Sequence, residues 1–164
     1  MKTIPTFHIA PLSLRQCEEI CSWIYEPPYD LYNWKPWTEM LEEQNEFADP
    51  SIRKEQYAAV MDEAGVLCGF AQFFPLTGVI RLGLGMRPDL RGQGLGVPFV
   101  KAIVREAVSR GPSQEIDLEV LVWNERAIKV YSKAGFVITD RYTRNTPTGP
   151  AEFYCMVYSE DDQA

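Results

Sequence analysis

The sequence predicts a single α+β domain built on a mixed sheet, and three observations lead there. The chain has 164 residues, which suits one domain and leaves no room for two full-sized ones. It is 46% hydrophobic and 24% charged, so it can bury a core and is neither disordered nor fibrous. Short apolar runs of strand character alternate with segments of helical period, without an internal repeat, low-complexity tract or linker.

Thr6 to Ala10 alternates as a short strand stopped by Pro11. Ser13 then caps a helix through Trp23, with Leu14, Cys17, Ile20, Cys21 and Ile24 as its apolar stripe. Tyr25 to Pro36 is too rich in proline for a regular helix and too aromatic for a solvated linker, which makes it an ordered aromatic loop. A second helix is predicted over about Thr38 to Phe47, followed by a polar connection through Asp49, Pro50 and Ser51. Tyr57 to Asp62 and Val66 to Phe74 read as strands flanking a tight turn at Glu63-Ala64-Gly65. Pro75 to Gly78 makes another turn before a strand over Val79 to Met86. A glycine-rich stretch then opens a helix to about Ser109, with Phe99, Val100, Ile103, Val104, Ala107 and Val108 at helical spacing; Pro98 fits because it lies in the first turn. Ile116 to Val122 is a strand, and Asn124 caps a helix from Glu125 to Ala134 closed by Gly135. Phe136 to Arg141 and Glu152 to Tyr158 are two last strands around a turn-rich loop over Asn145 to Pro150, and Ser159 to Ala164 form a frayed tail.

Composition excludes several functions. Sixteen Lys and Arg against 23 Asp and Glu give a net charge of −7, which argues against a protein that coats nucleic acid and is compatible with a cationic partner such as an amine. The four cysteines form no CxxC pair and His8 is the lone histidine, so neither a Cys/His metal site nor a histidine-based triad is expected. Cys17 and Cys21 share one helix face and read as buried small hydrophobes in a reducing cytosol. The N-terminal MKTIPTFHIAPLSL lacks the apolar core of a signal peptide, and no apolar run reaches the length of a membrane span; a soluble, cytoplasmic protein is expected.

The most informative segment is RLGLGMRPDLRGQGLG, in which a strand runs into Gly92, Gly94 and Gly96 and then into a helix. Glycine lets a backbone approach a ligand closely, and the unpaired N–H groups of a first helical turn attract anions, pyrophosphate above all. The spacing is neither the G-x-G-x-x-G of dinucleotide folds nor a Walker loop, which needs Gly-Lys-Ser/Thr where this chain has Gly96-Val97-Pro98. A second segment, LEVLVWNERAIKVYSKAGF, carries Asn124, Ala127, Tyr131, Gly135 and Phe136 in a fixed pattern. Together, in this order and spacing, the two segments resemble the GNAT family of acyl-CoA-dependent N-acyltransferases, with the specific match over about Val79 to Asp140.

The resemblance implies a GNAT fold with a mixed central sheet of about six to seven strands, a splayed parallel pair and about four flanking helices. It divides the single domain into 1–55 (first strand and acceptor-side helices), 56–110 (hairpin and CoA-binding motif) and 111–158 (second motif and final strands). It implies acetyl-CoA as cofactor, lying where Val79–Met86 and Ile116–Val122 part. Main-chain groups of Leu84 and Met86, about Gly85, would bond the pantetheine arm as an added strand does, and Gly83 and Gly85 fit a strand whose bulge forces the parting. Amides of Gly92, Gln93, Gly94, Leu95, Gly96 and Val97 would hold the pyrophosphate. Arg91 either touches phosphate or braces the loop, and Asn124 caps its helix for about 1 kcal/mol, contacts CoA, or does both. Lys129 and Lys133 approach the 3′-phosphate or belong to a solvated helix face.

Amine acylation poses two proton problems. An alkyl amine of pKa ~10 must lose a proton before it attacks, and a departing thiolate of pKa roughly 8.5 benefits from a donor. Tyr131, two helical turns after Asn124, matches the family tyrosine that points at the CoA sulfur and would be the acid; the alternative is a packing aromatic. Glu119, a carboxylate inside the apolar strand IDLEVLV, matches a family base that often works through water; the alternative is a partly exposed structural carboxylate, with Asp117 as a lesser substitute base. Alternation sets Asp117, Glu119 and Leu121 on one face and Leu118 and Val120 on the other. Amides near Met86 would polarise the thioester carbonyl, and direct attack in a ternary complex is expected because no cysteine is placed for an acyl-enzyme. Tyr25, Tyr29, Tyr32, Trp34 and Trp37 line an acceptor pocket, with Tyr29, Tyr32 and Trp34 as its binding residues, or else pack the loop or a dimer contact. The expected partner is a small-molecule or peptide amine, with no nucleic acid, membrane or metal, in a monomer or homodimer. A competing reading is an acyl-CoA sensor that keeps the fold without catalysis.

Overall fold

In chain order the computed structural model, which describes residues 5–159, contains β1 (His8–Ala10), α1 (Leu14–Ser22), α2 (Trp37–Glu42), α3 (Pro50–Gln56), β2 (Tyr57–Met61), β3 (Leu67–Leu76), β4 (Val79–Met86), α4 (Gly96–Arg110), β5 (Glu115–Leu121), α5 (Glu125–Lys133), β6 (Phe136–Thr146) and β7 (Gly149–Tyr158). The sheet has seven strands in the order β1-β2-β3-β4-β5-β7-β6. Its β4–β5 pair is parallel, whereas β1–β2, β2–β3, β5–β7 and β6–β7 are antiparallel. The chain divides into two compact units, Met1–Gln72 with Leu84–Leu95, and Phe73–Gly83 with Gly96–Ala164. The expectations for the first four residues and for the tail at 160–164 lie outside the described residues.

In the first unit Ser13 closes a capping box on α1: its hydroxyl accepts the Gln16 N–H at 3.1 Å while Gln16 Oε1 accepts the Ser13 N–H at 3.0 Å. Cys17, Ile20 and Cys21 are buried, but Leu14 and Ile24 of the predicted stripe are exposed, at 60% and 76%. The helix ends at Ser22, and the extended backbone at Trp23 puts that indole in the core and sends Ile24 outward. The second helix, Trp37–Glu42, is shorter than the predicted span of about Thr38 to Phe47. It stops at Glu42, Gln44 takes φ +55°, and a 3-10 turn at Glu46–Ala48 delivers Phe47 to the core. The predicted polar connection is instead the start of α3, because Asp49 Oδ1 accepts the Ser51 and Ile52 N–H groups and Pro50 fits the first helical position. Cys17, Ile20, Cys21, Trp23, Met40, Phe47, Tyr57, Ala59, Leu67 and Phe70 form one core cluster.

Two strands in the first unit meet at a turn in which Asp62 Oδ1 accepts the Ala64 and Val66 N–H groups and Gly65 takes φ +78°, as predicted. The end of β4 is packed without slack. A Cβ on Gly85 would stand 2.5 Å from Cε1 of Phe70, and Phe70 is itself in T-shaped contact with Trp34 at 5.2 Å. Gly85→Ala is therefore expected to cost about 1–3 kcal/mol by overpacking, read as a drop in midpoint on chemical denaturation with an unchanged m-value. A midpoint equal to wild type would show that Phe70 yields freely.

In the second unit β4 and β5 run side by side from Val79↔Glu115 to Leu82↔Leu118. Register aligns Leu82, Leu118, Met156 and Ile138 in one cross-sheet row and Arg81, Asp117, Val157 and Val137 in the next, so the two faces alternate. Ile80, Leu82, Ile116, Leu118, Val120 and Met156 are buried, as are Phe99, Val100, Ile103, Val104 and Ala107 of α4. The last two strands are longer than predicted. Their ladder runs unbroken in partner order from Phe136↔Tyr158 to Thr146↔Gly149, with one irregularity at Ile138/Asp140, and leaves only Pro147 and Thr148 as the turn. Likewise β3 runs on through Pro75 to Leu76. Cross-strand pairing overrides local turn residues in both cases.

Candidate active site

The glycine stretch has the conformations that its residues suggest. Gly92 and Gly94 take φ +78° and +73°, where L side chains are strained, and a Cβ on either would meet nothing within 4 Å. Gln93 Nε2 donates to the Asp89 carbonyl at 3.0 Å and steadies the loop. In the second unit α4 begins at Gly96 and runs fifteen residues, so the amides of its first turn have no helical acceptor. A Cβ on Gly96 would lie 3.0 Å from Val130 Cγ2 on α5, which makes glycine the residue that lets these two helices approach. The N–H groups of this first helical turn are donors of the kind that suit an anion such as a diphosphate.

The end of β4 is gripped from within the first unit. Tyr25 Oη donates to the Met86 carbonyl at 2.7 Å, and the Tyr25 N–H donates to Asn33 Oδ1 at 2.7 Å. Burial pushes the Tyr25 phenol up to about 12, with the Arg91 cation pulling the other way. The Arg91 guanidinium lies 4.5 Å from the Tyr29 ring centroid and 5.9 Å from that of Tyr25. These contacts belong to the bracing alternative for Arg91. The Arg87 N–H donates to the Cys68 carbonyl at 2.8 Å and its Nη1 to the Leu67 carbonyl at 2.7 Å.

In the second unit Asn124 is buried, and its Oδ1 accepts the Ala127 N–H at 3.2 Å, so capping is one of its duties. Tyr131 lies on α5, half-buried, with its ring in edge contact with Phe136 at 6.1 Å. Lys129 and Lys133 are exposed on the same helix.

Glu119 has more partners than its strand suggests. Tyr142 Oη donates to Glu119 Oε2 at 2.6 Å, Arg144 Nε stands 3.4 Å from the same oxygen, and Arg81 Nη1 stands 3.7 Å from Oε1. Arg81 binds Asp117 through two parallel bonds of 3.0 and 2.9 Å, and the Cys155 thiol donates to Asp117 Oδ2 at 3.6 Å. The bond to Asp117 holds the Arg81 guanidinium above its usual range. Burial, reinforced by the bond to Glu119, raises the Tyr142 phenol. Asp117 is thus tied to Arg81, whereas Glu119 sits at the centre of three side chains.

The structure puts the aromatic residues in different settings. Trp34 packs on Phe47, Tyr57 and Phe70, with ring centroids 4.5, 6.5 and 5.2 Å away, and Trp37 stands edge-on to Phe47. Tyr29 lies against Arg91, and Tyr32 is exposed. Tyr142, Arg81 and Arg144 escaped the sequence reading. Arg81 had a signal, a cation in an apolar strand opposite IDLEVLV, but Tyr142 fell beyond the predicted end of its strand. All four cysteines are free and buried, and burial raises the Cys21 thiol to about 11. No helix among the described residues is long and apolar enough to cross a membrane.

A mixed sheet with a parallel β4–β5 pair, a glycine-rich strand-to-helix loop and the Asn124-capped helix are the features that the resemblance to the GNAT family implies. The sequence model of the Acetyltransferase (GNAT) family matches residues 17–136, and the chain belongs to that family, whose acetyl donor is acetyl-CoA. Among curated proteins it is similar to thialysine N-epsilon-acetyltransferase of Bos taurus, 40% identical over 50 residues that cover 30% of this chain and 29% of that protein. The chain thus matches under a third of that relative's length. Among solved structures it resembles the spermidine/spermine N-acetyltransferase SpeG from Vibrio cholerae, with TM-score 0.66, 15% identity and coverage of 93% and 91% of the two chains. It also resembles the ribosomal-protein-S18-alanine N-acetyltransferase from Escherichia coli, with TM-score 0.62, 19% identity and 93% coverage of each chain. These likenesses establish the GNAT fold predicted from the two motifs.

Proposed function

We propose that this protein is an acetyl-CoA-dependent N-acetyltransferase that acylates an amine by direct attack in a ternary complex, as a single domain spanning 1–164. The observation that carries the reading is the family match over residues 17–136, which takes in both the glycine loop and the Asn124–Tyr131 helix. Acetyl-CoA, when bound, supplies an acyl carbon activated as a thioester. The amides of Gly92 to Val97 hold its diphosphate, and the main chain of Leu84 and Met86 aligns its pantetheine arm. Because Tyr25 already occupies one lone pair of the Met86 carbonyl, that carbonyl is oriented before any ligand arrives. Tyr131 donates a proton to the departing sulfur, and Glu119 receives the proton that the amine must lose. Tyr29 and Tyr32 contribute acceptor contacts, while Trp34 acts from behind through the core.

The acceptor is a small-molecule or peptide amine, and the excess of acidic residues suits its positive charge. Four reduced, buried thiols accord with the cytoplasm. The test is release of CoA thiol from acetyl-CoA with spermidine, thialysine and a peptide with an N-terminal alanine. Turnover of at least one amine, with acetylated product by mass spectrometry, is expected. Tight acetyl-CoA binding with no product from a wide amine panel would replace the enzyme with a sensor.

A further inference from the structure

We infer that Tyr142 works with Glu119 as a two-member proton relay, the phenol facing the amine side and the carboxylate receiving the proton behind it. This rests on the acetyltransferase reading above, with Glu119 as the proton acceptor. The geometry is local to the second unit. Glu119 projects from the face of β5 that also carries Asp117, and its side chain is 16% exposed. Tyr142 comes from β6, and its Oη–H is aimed at Glu119 Oε2 at 2.6 Å. The register that pairs Glu119 with Cys155, and Cys155 with Asp140, brings β6 within one strand of β5 and lets the tyrosine reach across.

The surroundings are charged from every side. Arg81 of β4 and Arg144 of β6 face Glu119, Asp117 of β5 balances Arg81, and the Cys155 thiol of β7 is bonded to Asp117. Both carboxylate oxygens therefore have a cation or phenol beside them. A protonated amine arriving at Glu119 itself would compete with two guanidinium groups, whereas the neutral phenol presents no like charge. The relay removes that conflict. An ammonium N–H proton passes to Tyr142 Oη as the Tyr142 proton passes to Glu119 Oε2. The freed nitrogen lone pair forms the N–C bond with the acyl carbon, and the C–S bond breaks with its electron pair on sulfur. Sulfur takes a proton from Tyr131, the remaining extra proton on nitrogen goes to solvent, Glu119 releases its proton to solvent, and Tyr131 is reprotonated from there. One proton is released per amide formed.

The experiment uses the full chain and whichever of spermidine, thialysine or the alanyl peptide turns over fastest. Tyr142→Phe should lower kcat/KM for the amine by about 100-fold, the lower end of general acid–base contributions, with KM for acetyl-CoA within about twofold of wild type. The acid limb of its pH–rate profile should flatten. Glu119→Gln should show a similar loss, and the double variant should lose little more, because the two side chains act as a unit. Tyr142→His, which can again pass a proton, should recover part of the rate; matching thermal midpoints confirm that the variants fold. Wild-type kinetics in Tyr142→Phe, or losses that multiply in the double variant, would overturn the relay while leaving Glu119 in place. Full turnover in Glu119→Gln, or no wild-type turnover on any amine, would instead remove the reading beneath it.

Discussion

Tyr131→Phe is expected to lower kcat by about 100-fold, the scale of one general acid, while acetyl-CoA affinity stays within about twofold. The substitution removes a single oxygen and keeps the ring, so the edge contact with Phe136 at 6.1 Å survives. A proton donated to sulfur matters only as the C–S bond breaks, so its loss appears in turnover and not in ground-state binding. The check is single-turnover rate against acetyl-CoA affinity by calorimetric titration. An unchanged rate would leave Tyr131 as a packing aromatic and move the acid role elsewhere. A rate loss matched by an equal loss of cofactor affinity would assign the phenol to binding.

A second large effect is expected at Gly94. Gly94→Val should weaken acetyl-CoA binding by at least about tenfold, because an L residue in the left-handed region costs on the order of 1–2 kcal/mol and a β-branched one more. No neighbour lies within 4 Å of the added Cβ, so the effect acts through backbone conformation and not through a clash. The amides of the loop would turn away from the directions needed to meet a diphosphate. Gly96→Val makes a useful contrast. There the added Cβ meets Val130 at 3.0 Å, so α4 and α5 are forced apart and stability falls as well. Calorimetry separates the two: Gly94→Val loses affinity with a drop of only a few degrees in thermal midpoint, and Gly96→Val, which also carries the clash with Val130, loses more stability. Equal acetyl-CoA affinity in Gly94→Val would contradict the phosphate-loop assignment.

Several elements were legible because their signals are local. Asn124 and Gly135 mark the two ends of α5, and the predicted limits of β4, Val79 and Met86, are those observed. Ser13 announces α1 in the same way. A cap, a glycine with positive φ or a strand bounded by turns needs only its neighbours in the chain. Local signals also misled. Asp49-Pro50 reads locally as a connection although it is an N-cap followed by a first-position proline, and Pro150 reads as the end of a loop although it pairs with Asn145 in the ladder.

The sequence by itself determined the family, the glycine loop, the Asn124–Tyr131 helix and the alternation that sets Asp117 and Glu119 on one face of β5. Only the tertiary structure decided what those side chains touch. Arg81 meets Asp117 across 36 positions, Tyr142 meets Glu119 across 23, and Tyr25 meets the Met86 carbonyl across 61. Such partners depend on register between strands and on where a loop folds back. A one-residue slip would turn the strand side chains to the opposite face, and the spacing within one strand does not say which residue of another strand stands opposite.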